Sequence, residues 1–277
     1  VAYDELSGAG TISFDAYLTP NAPDVPRKII VTSAGRSVDT LTCDDDDGGI
    51  SPGCLEAPTP DACCEDDMVL VEGTSSVDAL LFSPSTPLAV CMFGYEEEDV
   101  MVALPDEDHL LVGGEGGDFI WAEAGDDRVL GGGGNDLVSV RGGRDVIFSG
   151  DGHDIVFGGP GEDRVDGQVG HDSLAGGPGD DTIEAGVGND LVFGLHGNDL
   201  IYPGAGADVV AAGPGDDTVQ IRARCELGCK YLEGGPGRDT LILPVTLAAA
   251  EAQGVVAVGF ENVIENVNNQ VESARCD

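Results

Sequence analysis

Between Gly113 and Ile242 the apolar positions follow a beat that is neither helical nor alternating. A Val, Ile or Leu stands at 120, 129, 138, 147, 156, 165, 174, 183, 192, 201, 210, 219 and 241. All but the last step are nine residues long. Amphipathic helices repeat every three to four residues, and half-buried strands every two. Here each apolar residue is the centre of a three-residue stretch, and six residues rich in Gly and Asp separate one stretch from the next. Three residues make a short strand whose middle side chain points to one side. The other six must turn the chain, which calls for positive φ or close backbone approach, hence glycine. Two blocks close one coil of eighteen residues, so same-side strands stack at roughly 4.8 Å. The pattern predicts an all-β fold: a parallel β-roll of about six coils, two sheets facing across a core one residue thick.

The flanks read differently. Short strand signals at 11–18, 28–32, 37–42, 68–72, 77–83, 88–95 and 99–104 predict an all-β unit over 1–103. An antiparallel, sandwich-like unit and an extension of the roll both fit. Residues 104–112 form a degenerate block with His109 at the Asp position, a candidate cap. The roll then spans 104–242. Residues 243–277 form a C-terminal cap, with a short helix at 246–252 and strands at 255–258 and 259–263.

Twelve blocks run without a gap from Gly113 to Gln220, and a thirteenth occupies 234–242. The longer stretch 221–233 separates them. Every block has Gly at its fourth position and Asp at its sixth. The sixth-position residues are Asp118, Asp127, Asp136, Asp145, Asp154, Asp163, Asp172, Asp181, Asp190, Asp199, Asp208, Asp217 and Asp239. These blocks resemble the RTX nonapeptide GGxGxDxUx, which implies a calcium-binding parallel β-roll. The chemistry agrees with that implication. Stacked turns bring aspartates into columns that repel when bare, and a hard divalent cation with oxygen preference fits between them. One column holds Asp118 to Asp208 and the other Asp127 to Asp239, with five and six gaps, so up to eleven calcium ions are expected. Binding and folding would then draw on one free energy, and the calcium-free segment should be largely unfolded. The gap between Asp127 and Asp145 should be the weakest, because Glu123 and Arg141 replace second-position glycines there.

Composition narrows the function. The chain carries 52 acidic and 12 basic residues, a net charge of −40. That charge excludes nucleic acid and anionic membranes as partners, and no apolar run reaches the length of a bilayer span. With 41% hydrophobic residues it is no disordered acidic tail. The start, Val1 to Asp4, is no signal peptide and lacks Met, which points to a removed leader or a trimmed chain. Eight cysteines suggest four disulfides and an extracellular, oxidising location, with Cys225–Cys229 as the local pair and Cys276 reaching back to the N-terminal region. No HExxH or GxSxG is present, so no enzyme class is indicated. Asp44 to Asp47 fails as an EF-hand and reads as a solvated loop, Glu96 to Asp99 as surface, and His153 and His171 as exposed turn residues stacked on neighbouring coils. Outward positions of the odd blocks, such as Ile155, Phe157, Leu191 and Phe193, are almost wholly apolar, whereas the even blocks are mixed. The odd face would be covered by the chain's own flanks, or would meet a second copy or a ligand such as a polysaccharide. The resulting expectation is a secreted calcium-binding β-roll serving as a structural or binding module. The alternative is an extracellular enzyme, or an enzyme's accessory module, acting on polysaccharide.

Overall fold

The computed structural model describes residues 11–14, 29–33, 69–73, 75–82, 89–104 and 107–266. From Val69 onward the chain winds through two parallel sheets, crossing from one to the other at each turn. The even sheet runs from Val69–Glu72 through Val90–Glu96, Leu110–Glu115, Arg128–Gly133 and Val146–Gly152 to Asn262–Glu265. The odd sheet runs from Ala79–Phe82 through Val100–Ala103, Phe119–Ala122 and Leu137–Ser139 to Val256–Val258. Thr11–Phe14 pairs antiparallel with Ile29–Ser33, which pairs antiparallel with Val69–Glu72. The antiparallel expectation for the N-terminal part therefore holds for two strands, which extend the edge of the even sheet.

The expected coil number is corrected. The odd sheet alone has ten strands, so the roll has about ten coils and not six. The added coils come from strands at 69–112 and 256–265, whose spacing departs from eighteen. Register steps are eighteen in the middle (Val138 pairs with Val156), 21 from Leu80 to Met101, 19 from Met101 to Ile120 and 22 from Val210 to Leu232. The sheet tolerates these steps because extra residues bulge into the turns while each strand keeps its pairing. The strand signal at 37–42 lies outside the described residues.

The eighth-position residues point inward as expected. Ile120, Val138, Val156, Leu174 and Val192 face Val129, Ile147, Val165, Ile183 and Ile201, all fully buried. Each strand gives one such residue, and several coils add a further one at or just past the end of a strand: Ala122, Val140, Ala185, Ala212 and Ile221 join the same core. Glycine is needed where consecutive turns nearly touch. At Gly177 φ is +139°, and a methyl group there would overlap the carbonyl oxygen of Gly159 one coil above. Gln168 and Leu195 hold the equivalent position with φ of 61° and 80°, a left-handed conformation that costs non-glycine residues about 1–2 kcal/mol.

The stretch 221–233 bulges out as a 3-10 turn at Arg224–Glu226, where Glu226 accepts backbone N–H bonds from Arg222 and Ala223. The expected Cys225–Cys229 pair is corrected: Cys229 is free and exposed. Ties from Glu226, and from Lys230 just after Cys229, fasten the bulge instead. The helix Leu247–Glu251 falls within its expected span. Thr246 caps it by accepting from the Ala249 N–H, and Ala250 is buried beneath the last coils.

The two outer faces differ in an unexpected way. The odd face stays open, with Ile155, Phe157, Leu191, Val209 and Tyr231 each about 40–50% exposed. A second buried cluster lies on the outer side of the even sheet, formed by Cys91, Phe93, Leu110, Val112, Leu130 and Val146.

Candidate metal columns

The sixth residue of each block precedes a strand, so parallel pairing aligns these residues as strictly as it aligns the strands. All thirteen predicted aspartates are buried, each 2% exposed or less. They form two columns. In each, the backbone N–H of one Asp donates to Oδ1 of the Asp one coil further on. Asp118 donates to Asp136 at 2.8 Å, Asp136 to Asp154 at 2.9 Å, Asp163 to Asp181 at 2.8 Å and Asp217 to Asp239 at 3.0 Å. Every Oδ1 thus looks back towards the preceding coil.

The columns are longer than the sequence motif. Asp99 donates to Asp118 Oδ1 at 2.8 Å, and Asp78 to Asp99 Oδ1 at 2.7 Å. Asp99, read from sequence as surface, is 1% exposed and belongs to the odd column. Its neighbours Glu96, Glu97 and Glu98 are exposed as expected. Both new members keep a first-position glycine (Gly73, Gly94) and an apolar eighth residue (Leu80, Met101), but Ser76 and Glu97 replace the fourth glycine. A search for that reduced pattern at flexible spacing would have found them. His109 holds the Asp position at the top of the even column, where its N–H donates to Asp127 Oδ1 and its Nδ1 accepts from the Val90 N–H. Glu261 ends that column by accepting from the Asp239 N–H at 2.7 Å.

The second oxygen is the informative one. Oδ2 of Asp99, Asp118, Asp127, Asp136, Asp145, Asp154, Asp163, Asp172, Asp181, Asp190, Asp199, Asp217 and Asp239 is buried without a hydrogen-bond partner. A buried polar atom with no partner costs about 1–3 kcal/mol, and more if charged. Desolvation accordingly pushes the carboxyl pKa up to about 8 at Asp127 and to about 7 at Asp136, Asp145, Asp163, Asp172 and Asp181. Accepted backbone hydrogen bonds pull the other way, and neighbouring column carboxylates add to the rise.

The surroundings of these oxygens fit a hard cation. A methyl group on Gly234 would stand 2.7 Å from Asp239 Oδ2 and 2.5 Å from the Gly259 carbonyl oxygen of the next coil. Gly113, Gly131 and Gly194 face the same pair of groups, an Oδ2 and a carbonyl oxygen one coil on. The first glycine therefore keeps open a small cradle where a carboxylate oxygen and a main-chain carbonyl oxygen meet, the donor type that calcium takes. Among the described residues no three Asp, Glu, His or Cys side chains converge on one point, so any site here must draw on main-chain carbonyls.

The remaining candidates fall away from the columns. His153 and His171 stack in parallel with ring centroids 4.9 Å apart. His153 Nδ1 accepts from the His171 N–H, and His171 Nδ1 from the Asn189 N–H. They serve as rungs of an exposed ladder whose other rungs are Asn135 and Asn189. Arg141 turns its charge outward to Glu123 at 3.5 Å and over the ring of Trp121. Asp44 to Asp47 lie outside the described residues.

No curated protein matches this chain. Residues 110–138, 141–174, 166–201, 175–210 and 188–219 match the family model described as RTX calcium-binding nonapeptide repeat (4 copies). The blocks from Asp118 to Asp217 are thus matched as RTX calcium-binding nonapeptide repeats.

Proposed function

We propose that this protein is a calcium-loaded β-roll that works outside the cell as a structural or binding module. The observation that carries the reading is the alignment of thirteen buried, partnerless Asp Oδ2 atoms in two columns. Calcium, when bound, supplies the positive charge that these oxygens lack. The ligands are the thirteen aspartates of the sequence motif, joined by Asp99, with carbonyls of the first-position residues one coil on. The count is up to eleven ions over the motif, with one more position between Asp99 and Asp118. The roll itself begins near Val69. The chain's own contribution is to orient each carboxylate: its Oδ1 is fixed by a backbone N–H, which leaves Oδ2 aimed at the cradle. An oxidising, extracellular setting is supported by the cysteine content and by Cys91, which is disulfide-bonded. Isothermal calorimetry of calcium binding, run beside far-UV circular dichroism, tests the reading. Multi-site binding with a gain of β signal is expected; binding of fewer than two ions would overturn it.

A second reading, an accessory module that holds polysaccharide, draws on one feature. An open groove of about 680 Å³ lies on the outer even sheet. Tyr95, Phe148, Glu115 and Asp151 line it together with a glycine-rich floor. Aromatic rings beside carboxylates suit stacking on, and hydrogen bonding to, a sugar. Glycan-array binding that is lost in Tyr95→Ala would favour this reading over a purely structural role.

A further inference from the structure

The odd column ends at a residue that breaks the pattern in sign as well as identity. Tyr231 pairs with Val209, so Lys230 stands one coil below Asp208, in the place where an Asp would continue the column. Its side chain is fully buried. The Lys230 Nζ donates to the Gly206 carbonyl oxygen at 3.0 Å and forms an ion pair with Asp208 Oδ2. From Asp99 to Asp239, Asp208 is the one column aspartate absent from the partnerless set. The even column crosses the same long block without such a residue. Asp217 and Asp239 are also 22 residues apart, keep the N–H to Oδ1 bond, and leave both Oδ2 atoms partnerless.

We propose that Lys230 is a tethered cation that fills the last metal position of the odd column and closes it to calcium. This rests on the calcium reading and assigns one position within it. Three facts converge on the position. The ammonium meets an Asp Oδ2, the oxygen that elsewhere faces the next coil. It also meets a main-chain carbonyl of the same turn, a hard-oxygen donor of the kind a divalent ion would take. Its stem reaches that point because the long block bulges at 221–229 and returns in register at Tyr231. A lysine tip bearing one charge and three donors neutralises one carboxylate without desolvating a free ion. The seam between the coils of Asp208 and Lys230 therefore stays closed when calcium is withdrawn, whereas seams elsewhere in the columns do not.

The full chain tests this in two arms. Native mass spectrometry counts the ions bound by wild type and by Lys230→Asp, which restores the acidic rung. One additional calcium in the variant is expected; an unchanged count overturns the assignment. The second arm is amide hydrogen exchange at Tyr231, Leu232 and Glu233, at the lowest calcium that retains the β signal, for wild type and Lys230→Gln. Exchange at least about tenfold faster in Lys230→Gln is expected, because a buried charge-assisted bond is lost. Equal rates overturn the assignment, including in a variant that cannot be counted. Wild type that binds no calcium at all would sink the calcium reading, and the exchange arm would still decide what Lys230 does.

Discussion

Protons should do part of the work of calcium in the metal-free protein. Once the cation is stripped by chelator, the column carboxyls face desolvation with nothing to offset it, which holds their pKa well above the ordinary 3.8. A carboxyl that titrates higher in the fold than in the unfolded chain favours folding when protonated. That contribution is complete below pH 3.8 and is lost as pH rises through the folded value. Asp136, Asp145, Asp163, Asp172 and Asp181, at about 7, would each gain about 2 kcal/mol on going from pH 8 to pH 5.5, at about 1.4 kcal/mol per pH unit. Asp127, at about 8, would gain about 3 kcal/mol. A few such gains rival the roughly 5–15 kcal/mol net stability of a whole domain. The chelated protein should therefore lack most of its β signal at pH 8 and recover it as pH falls to 5.5. Far-UV circular dichroism follows the transition, and sedimentation separates folding from aggregation. With calcium present the sign reverses, because the ion needs ionised carboxylates, so its affinity should fall below about pH 7. A chelated chain that stays unfolded down to pH 5.5, or that is fully folded at pH 8, would refute the electrostatic reasoning.

Four further outcomes are expected. Asp181→Ala should remove about one or two ions from the calorimetric count, whereas Asp180→Ala, on the exposed neighbour of the same turn, should leave the count unchanged. Ile183→Ala in the calcium-loaded protein should cost about 2–5 kcal/mol by denaturant titration, since the side chain is fully buried in a core too narrow to repack. Gly177→Ala should be at least as damaging per atom added, because its φ of +139° and the overlap with the Gly159 carbonyl both oppose a methyl group. In a calcium-titrated crystal, the site between Asp127 and Asp145 should fill last; full occupancy there at low calcium would count against the expectation.

The repeat made the centre of the fold readable because each strand there is a copy of its neighbour. Ile120 to Leu241 could be assigned to the interior, and thirteen aspartates to two columns, from spacing alone. What spacing could not carry was the roll's continuation at Asp78 and Asp99, where turns lengthen by one to three residues and lose their fourth glycine. Strand pairing, not turn identity, holds these coils in register, so a search anchored on turns stops too early. Lys230 escaped for a related reason. It sits in a block that breaks the frame, and its position becomes meaningful only when Tyr231 is seen opposite Val209. The Cys225–Cys229 expectation misled because nearness in sequence does not by itself bond two thiols, and Cys229 is free and exposed.

The crossing of the chain from sheet to sheet at every block has a consequence for how such a molecule can change length. A lineage that loses nine residues throws everything downstream half a cycle out of phase. The apolar outer strands would land in the mixed sheet, and Lys230 would come to the foot of the wrong column. A lineage that loses eighteen merely shortens. The heritable quantum of this architecture is the pair of blocks, and an odd number of deletions is a frameshift written in three dimensions.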